Sequence, residues 1–169
     1  MKAMMQDPLT ILILCTGNSA RSIMGEAILN RVGQGRFRAF SAGSQPKGEP
    51  HPLALNLLAR EGHDTAFARS KSWDEFAGPD APALDLVITV CDSAAGETCP
   101  YWPGAPITAH WGIPDPAAAT GTGAERALAF ATAYAQLTRR ALALAALPLA
   151  TLDRAAQTAA IRAIGRLPE

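Results

Sequence analysis

Cys15-Thr16-Gly17-Asn18-Ser19-Ala20-Arg21-Ser22 sets a sulfur nucleophile and a guanidinium at the two ends of a small-residue stretch, with five residues between them. Gly17 and Asn18 suit unusual backbone angles, so the stretch can turn tightly and bring its amides to one point. A helix starting behind it adds the positive end of its dipole. Arg21 can grip two oxygens of a tetrahedral anion with its planar fork. The same field favours the thiolate of Cys15, the reactive form. The chemistry implied is attack on phosphate, or on an anion of that shape. The alternative is a small buried hydrophobe at a strand end, the usual role of a free cysteine. The apolar run Ile11–Leu14 before the loop and the helical pattern after it favour the anion cradle.

A second cluster contains Cys91, at the end of an apolar run, and Cys99, eight residues on in a polar loop with Gly96 and Pro100. Such a loop is expected to be irregular and exposed. One reading is a thiol–disulfide relay, in which Cys91 is anchored near Cys15 and Cys99 swings to carry two electrons to the surface. A bridge of this kind needs Cα atoms within roughly 4.4–6.8 Å, and each exchange needs an in-line thiolate. The other reading is a buried Cys91 and a stray surface Cys99. The third element is Asp115, held between Pro114 and Pro116. It reads as a proton donor to a leaving oxygen or as an ordinary turn aspartate.

These residues need elements to hold them. Thr10–Leu14 reads as a first strand, and Ile23, Met24, Ala27, Ile28 and Val32 form a helical stripe ending near Gly33. Arg36–Ser41 alternates like a second strand. Pro50 and Pro52 open a helix that runs to Gly62, and Ser72-Trp73-Asp74-Glu75 fits a capping box. Leu84–Val90 is nearly continuous in apolar character, as a central parallel strand should be. Pro106–Trp111 is a fourth strand. Thr122-Gly123-Ala124-Glu125 fits another capping box, opening a long helix to about Ala146 that Pro148 stops. Residues 151–165 form a last amphipathic helix that docks on the domain or on a partner.

Strands alternating with helices predict an α/β fold: three layers, with a four-stranded parallel sheet flanked by helices. The core spans about 9–146 of a single domain covering 1–169, with the extra C-terminal helix outside it. Ligands bind beyond the carboxyl ends of such strands, which puts Cys15, Cys91 and Asp115 on one rim.

Composition narrows the rest. The chain has 169 residues, 49% hydrophobic and 18% charged, with a formal net charge of zero, which fits a soluble globular protein. No basic stripe suggests nucleic acid, and no apolar run approaches the ~18 residues of a membrane span. Met1–Pro8 carries no apolar signal core, so the cytoplasm is the expected location. Three cysteines do not make a disulfide scaffold. Their spacing, with His51, His63 and His110 scattered, does not match zinc.

The segments Cys15–Ser22, Ser41-Ala42-Gly43, Val90-Cys91-Asp92 and Asp115-Pro116 together resemble the low-molecular-weight protein tyrosine phosphatases. With Cys91, Cys99, Thr16 and Ser19 they look like the thiol-linked arsenate reductases of that superfamily. The resemblance implies that Thr16, Gly17, Asn18, Ser19, Ala20, Arg21 and Ser22 bind the oxyanion and that Cys15 attacks arsenic, with Asp115 helping an oxygen depart. It implies that Cys91 then attacks Cys15 to release arsenite, and that Cys99 attacks Cys91. No tightly bound cofactor is expected; the reductant would be thioredoxin or glutathione with glutaredoxin. Relatives can bind potassium, which here would fall near Asn18, Glu26 and Ser41, residues that read equally well as loop braces.

The chain departs from relatives at Ala20, where some carry cysteine, and the interval from Cys91 to Cys99 exceeds that of some. The loop Ala117–Gly121 lacks the tyrosine pair frequent in the phosphatases. Two other functions compete: a phosphatase working through a cysteinyl-phosphate, and a non-catalytic oxyanion or redox sensor acting through a partner on the last helix.

Overall fold

A computed structural model describes residues 8–91, 96 and 102–168. Its sheet has four parallel strands in the order β2-β1-β3-β4, namely Phe37–Ala42, Leu9–Leu14, Leu86–Thr89 and Ile107–His110. Leu14 is in register with Ala42 on one side and Thr89 on the other, and Thr89 with His110. All four strands therefore end on one rim.

Alternation along the strands builds two cores. Ile11, Ile13, Leu86 and Ile88 face helices α1 (Arg21–Gly33), α2 (Pro52–Arg60), α3 (Gly123–Ala146) and α4 (Arg154–Ile164). Leu12, Leu14 and Val87 face the opposite way, under Phe76 and Trp102. Among the described residues, that third layer holds a short 3₁₀ turn, Trp73–Phe76.

The expected α/β layering is found, with differences at the edges. The third strand was expected from Leu84, but the Leu84 amide donates to the Pro103 carbonyl, and pairing within the sheet begins at Leu86. The capping box expected at Ser72 does not form. Ser72 Oγ accepts from the Asp74 amide, while Glu75 turns away to a two-pronged bond with Arg69, at 2.8 and 2.9 Å. At Thr122 the box is complete in both directions, at 3.0 and 3.1 Å.

Helix α4 docks in cis along β4, the sheet's edge. Asp153 caps it, the Trp111 indole donates to the Ile161 carbonyl at 3.1 Å, and Arg162 donates to the Thr108 carbonyl at 2.8 Å. Covering an edge in this way removes a template for strand addition. Of the stripe expected to dock (Leu152, Ala155, Ala156, Ala159, Ala160, Ala163, Ile164 and Leu167), Ile164 is buried while Ala155, Ala159 and Ala163 are exposed. Ile161, outside that stripe, is the other buried residue of the docked face.

Candidate active site

Cys15 directly follows β1 and Arg21 begins α1. The loop between them takes a left-handed turn at Asn18, where φ is 43°. Side chains cap α2, α3 and α4, through His51, Thr122 and Asp153. Helix α1 has Ala20 at that position, no side-chain cap and no acid in its first turn. Its leading amides are thus left for another acceptor.

Close packing holds the loop against the end of β2. A Cβ at Gly43 would collide with the Thr16 carbonyl oxygen and lie 2.7 Å from that of Cys15, so this position requires glycine. The His51 amide donates to the Ser19 carbonyl at 2.8 Å, fastening α2 to the same loop.

A cavity of about 680 Å³ opens over this loop, lined by Cys15, Thr16, Gly17, Ser19, Ala20 and Arg21, and also by Cys91 and Asp115. Both cysteines are 4% exposed, and their sulfurs are not bonded to each other. The Thr16 amide approaches Cys91 Sγ at 3.3 Å and its hydroxyl at 3.6 Å, so Cys91 lies beside the residue that follows Cys15. Arg21 donates through Nη1 to the Ile113 carbonyl at 3.1 Å, and its Nη2 lies 3.6 Å from Asp115 Oδ2. With Asp115 42% exposed, that pair adds little to stability; its effect is to fix the direction of the fork. Cys99 lies outside the described residues.

Beneath the loop runs a buried polar chain. Asn18 Nδ2 donates to Ser22 Oγ at 2.8 Å, and Ser22 Oγ lies 2.9 Å from Cys15 Sγ, where its own proton is free to donate to a thiolate. Asn18 Nδ2 also donates to Ser41 Oγ at 3.1 Å, and Ser41 donates to Glu26 Oε1 at 2.6 Å. Asn18 Oδ1 accepts the Lys71 amide at 2.8 Å. The Lys71 ammonium lies 3.8 Å from Glu26 Oε1 and donates to the Arg69 carbonyl at 3.1 Å. Burial pushes the Glu26 carboxyl up, opposed by the Ser41 bond and the Lys71 charge. Burial pushes Lys71 down, opposed chiefly by Glu26.

Of the two readings of Asn18, Glu26 and Ser41, potassium ligands or loop braces, the arrangement fits the braces and does not fit potassium. The three side chains are bonded to one another and to the Lys71 amide, and the Glu26 carboxylate already faces an ammonium. A second cation there would meet like charge in a poorly screened interior.

The sequence reading missed Lys71, along with Gln45 and Lys47, which line the cavity. Gln45 and Lys47 follow the carboxyl end of β2, so the rim rule that gathered the other candidates reaches them too. Lys71 carries no such signal, because the isolated Gly43–Ser72 bridge that draws it inward is a tertiary contact.

Fold and cavity together define an α/β enzyme domain built around a Cys-x5-Arg loop. Residues 10–158 match the family described as low molecular weight phosphotyrosine protein phosphatase, and the chain belongs to that family. Among its relatives is an arsenate reductase of Bacillus licheniformis, 37% identical over 118 residues, covering 69% of this chain and 81% of the relative. A crystal structure of an arsenate reductase from Archaeoglobus fulgidus superposes with a TM-score of 0.62 at 27% identity, covering 81% of this chain and 99% of that one. An arsenate reductase in its phosphate-binding state gives 0.65 at 26% identity, covering 82% and 97%. The resemblance drawn from the sequence motifs is borne out at the level of the family.

Proposed function

We propose that this chain reduces arsenate to arsenite by a relay through Cys15, Cys91 and Cys99. The observation that carries the reading is a single cavity lined by both Cys15 and Cys91, with the Thr16 amide 3.3 Å from Cys91 Sγ. A phosphate ester needs no second sulfur there, whereas a reductase does.

Arsenate is held by the loop amides of residues 16–22 and the Arg21 fork. Cys15 thiolate attacks arsenic, an S–As bond forms, and an oxygen leaves as water with a proton from Asp115. Cys91 thiolate then attacks Cys15 Sγ. The electron pair of the S–As bond stays on arsenic, arsenic(V) becomes arsenic(III), and arsenite departs from a Cys15–Cys91 disulfide. Cys99 thiolate attacks Cys91, Cys15 leaves as thiolate, and external thiols supply the two electrons that reduce the remaining disulfide. The thioredoxin dithiol, or two glutathione thiols acting with glutaredoxin, supply them in the cytoplasm. Arsenic detoxification is the purpose such an activity serves, and no tightly bound cofactor is needed for it.

The family description itself favours a second reading, phosphomonoester hydrolysis through a cysteinyl-phosphate. The test is arsenate-dependent consumption of reducing equivalents, run separately with each donor system. Cys99→Ser should permit one turnover and then arrest if the relay operates, and should leave aryl phosphate turnover unchanged if the phosphatase reading is right. No arsenate dependence with either donor would remove the reductase reading.

A further inference from the structure

We infer that Lys71 is a built-in monovalent cation for the oxyanion loop: its ammonium takes the place of a bound metal ion and, through Glu26, Ser41, Asn18 and Ser22, positions Cys15. The inference extends the proposed reaction to a residue that touches neither sulfur nor substrate, and it stands on geometry at the loop.

Lys71 is 7% exposed and Glu26 also 7%, so neither charge is there for solubility. A buried ion pair is weak evidence for stability, because removing two charges from water costs about as much as their attraction returns. Its placement explains it better. Glu26 accepts from Ser41, which leaves the Ser41 lone pairs to Asn18 Nδ2; that amide in turn fixes the Ser22 hydroxyl beside Cys15 Sγ at 2.9 Å. Each bond in the chain fixes the donor direction of the next, and the chain begins at a buried carboxyl group that accepts the Ser41 proton. An ammonium 3.8 Å away opposes the burial that favours the neutral carboxyl. The backbone of the same residue bonds Asn18 Oδ1 at 2.8 Å, so Lys71 grips the loop from both sides of the asparagine amide. A tethered ammonium is present at every salt composition. Free potassium or sodium should therefore have nothing to add.

The readout is the rate at which iodoacetamide alkylates Cys15, followed at the Cys15 peptide by mass spectrometry on the full chain, in potassium, sodium or choline chloride of equal ionic strength. It requires no arsenate turnover, so it succeeds or fails apart from the proposed reaction. The wild-type rate should be the same in all three salts. Lys71→Ser should slow alkylation about tenfold in choline by loosening the Ser22–Cys15 contact, and potassium or sodium should restore most of the loss. Lys71→Arg should keep the rate in choline within about threefold of wild type. If Lys71→Ser does not fold, Glu26→Gln with Lys71→Met removes both charges together; it should alkylate slowly in every salt. A wild-type rate that rises with potassium would overturn the inference. So would a folded Lys71→Ser protein that is unchanged in choline, one that no cation rescues, or a double variant with the wild-type rate.

Discussion

Arg21 reaches the Ile113 carbonyl with one nitrogen and Asp115 with another, which leaves a planar fork of fixed direction over the cavity. Lysine can supply the charge there but not the fork. Arg21→Lys should lower kcat/KM for arsenate by about a hundredfold with the fold intact, since a single oxyanion donor is worth roughly that. Steady-state kinetics beside a circular dichroism spectrum would check it. An equal loss with phosphate as competitor, seen as weaker inhibition, would show that the fork acts on the tetrahedral anion. At this scale the sequence was most legible: Cys15, Arg21, Cys91 and Asp115 were picked out by type and spacing, and all four line one cavity. Lys71 was not legible, because nothing in Arg69-Ser70-Lys71-Ser72 distinguishes a buried lysine from a solvated one.

Among the elements, the boundaries that local chemistry fixes were read well and those that tertiary contacts fix were not. The long helix was expected to end at about Ala146 and does, because Thr122 and Glu125 close one end and Pro148 the other. The helix after Pro50 was expected from its prolines, yet its cap is His51, whose Nδ1 accepts from the Leu53 amide at 3.1 Å. Burial, then the charges of Arg126 and Lys47, lower the pKa of His51 from its ordinary 6.5. The unfolded chain therefore takes up the proton more readily than the folded one. The stability this histidine contributes is full above pH 6.5 and is lost as pH falls from there through its folded pKa. His63, also lowered by burial, acts in the same direction. The urea midpoint should drop between neutral pH and pH about 5.5, and His51→Asn, which keeps an acceptor at the cap, should make the drop smaller. An unaltered drop would show that the cap does not sense the proton. Gly43→Ala tests the strand end in another way. Its methyl would force the Thr16 and Cys15 carbonyls apart. We expect a loss of about 1–3 kcal/mol in urea unfolding and a larger proportional loss of activity than of stability.

For the whole molecule, parallel topology explains why the chemistry gathers at one place: four strands in register end together, and the loops after them carry the reactive groups. That much follows from the order of elements. Where the last helix goes does not, because its apolar face would serve a neighbour or its own sheet equally well; contact with Trp111 and Thr108 decides for the sheet. Ile161→Ala, in a position 2% exposed, should cost about 2–5 kcal/mol in denaturant unfolding and leave kcat unchanged, since the residue is absent from the cavity lining. A fall in kcat without a fall in stability would instead assign α4 to the reaction. The central claim concerns the two sulfurs, and a single turnover tests it most directly. Fully reduced protein is mixed with excess arsenate and no reductant, arsenite is counted, and the cysteine peptides are mapped. The account predicts one arsenite per chain, with a disulfide joining two of Cys15, Cys91 and Cys99. No arsenite, with all three thiols intact, would contradict it.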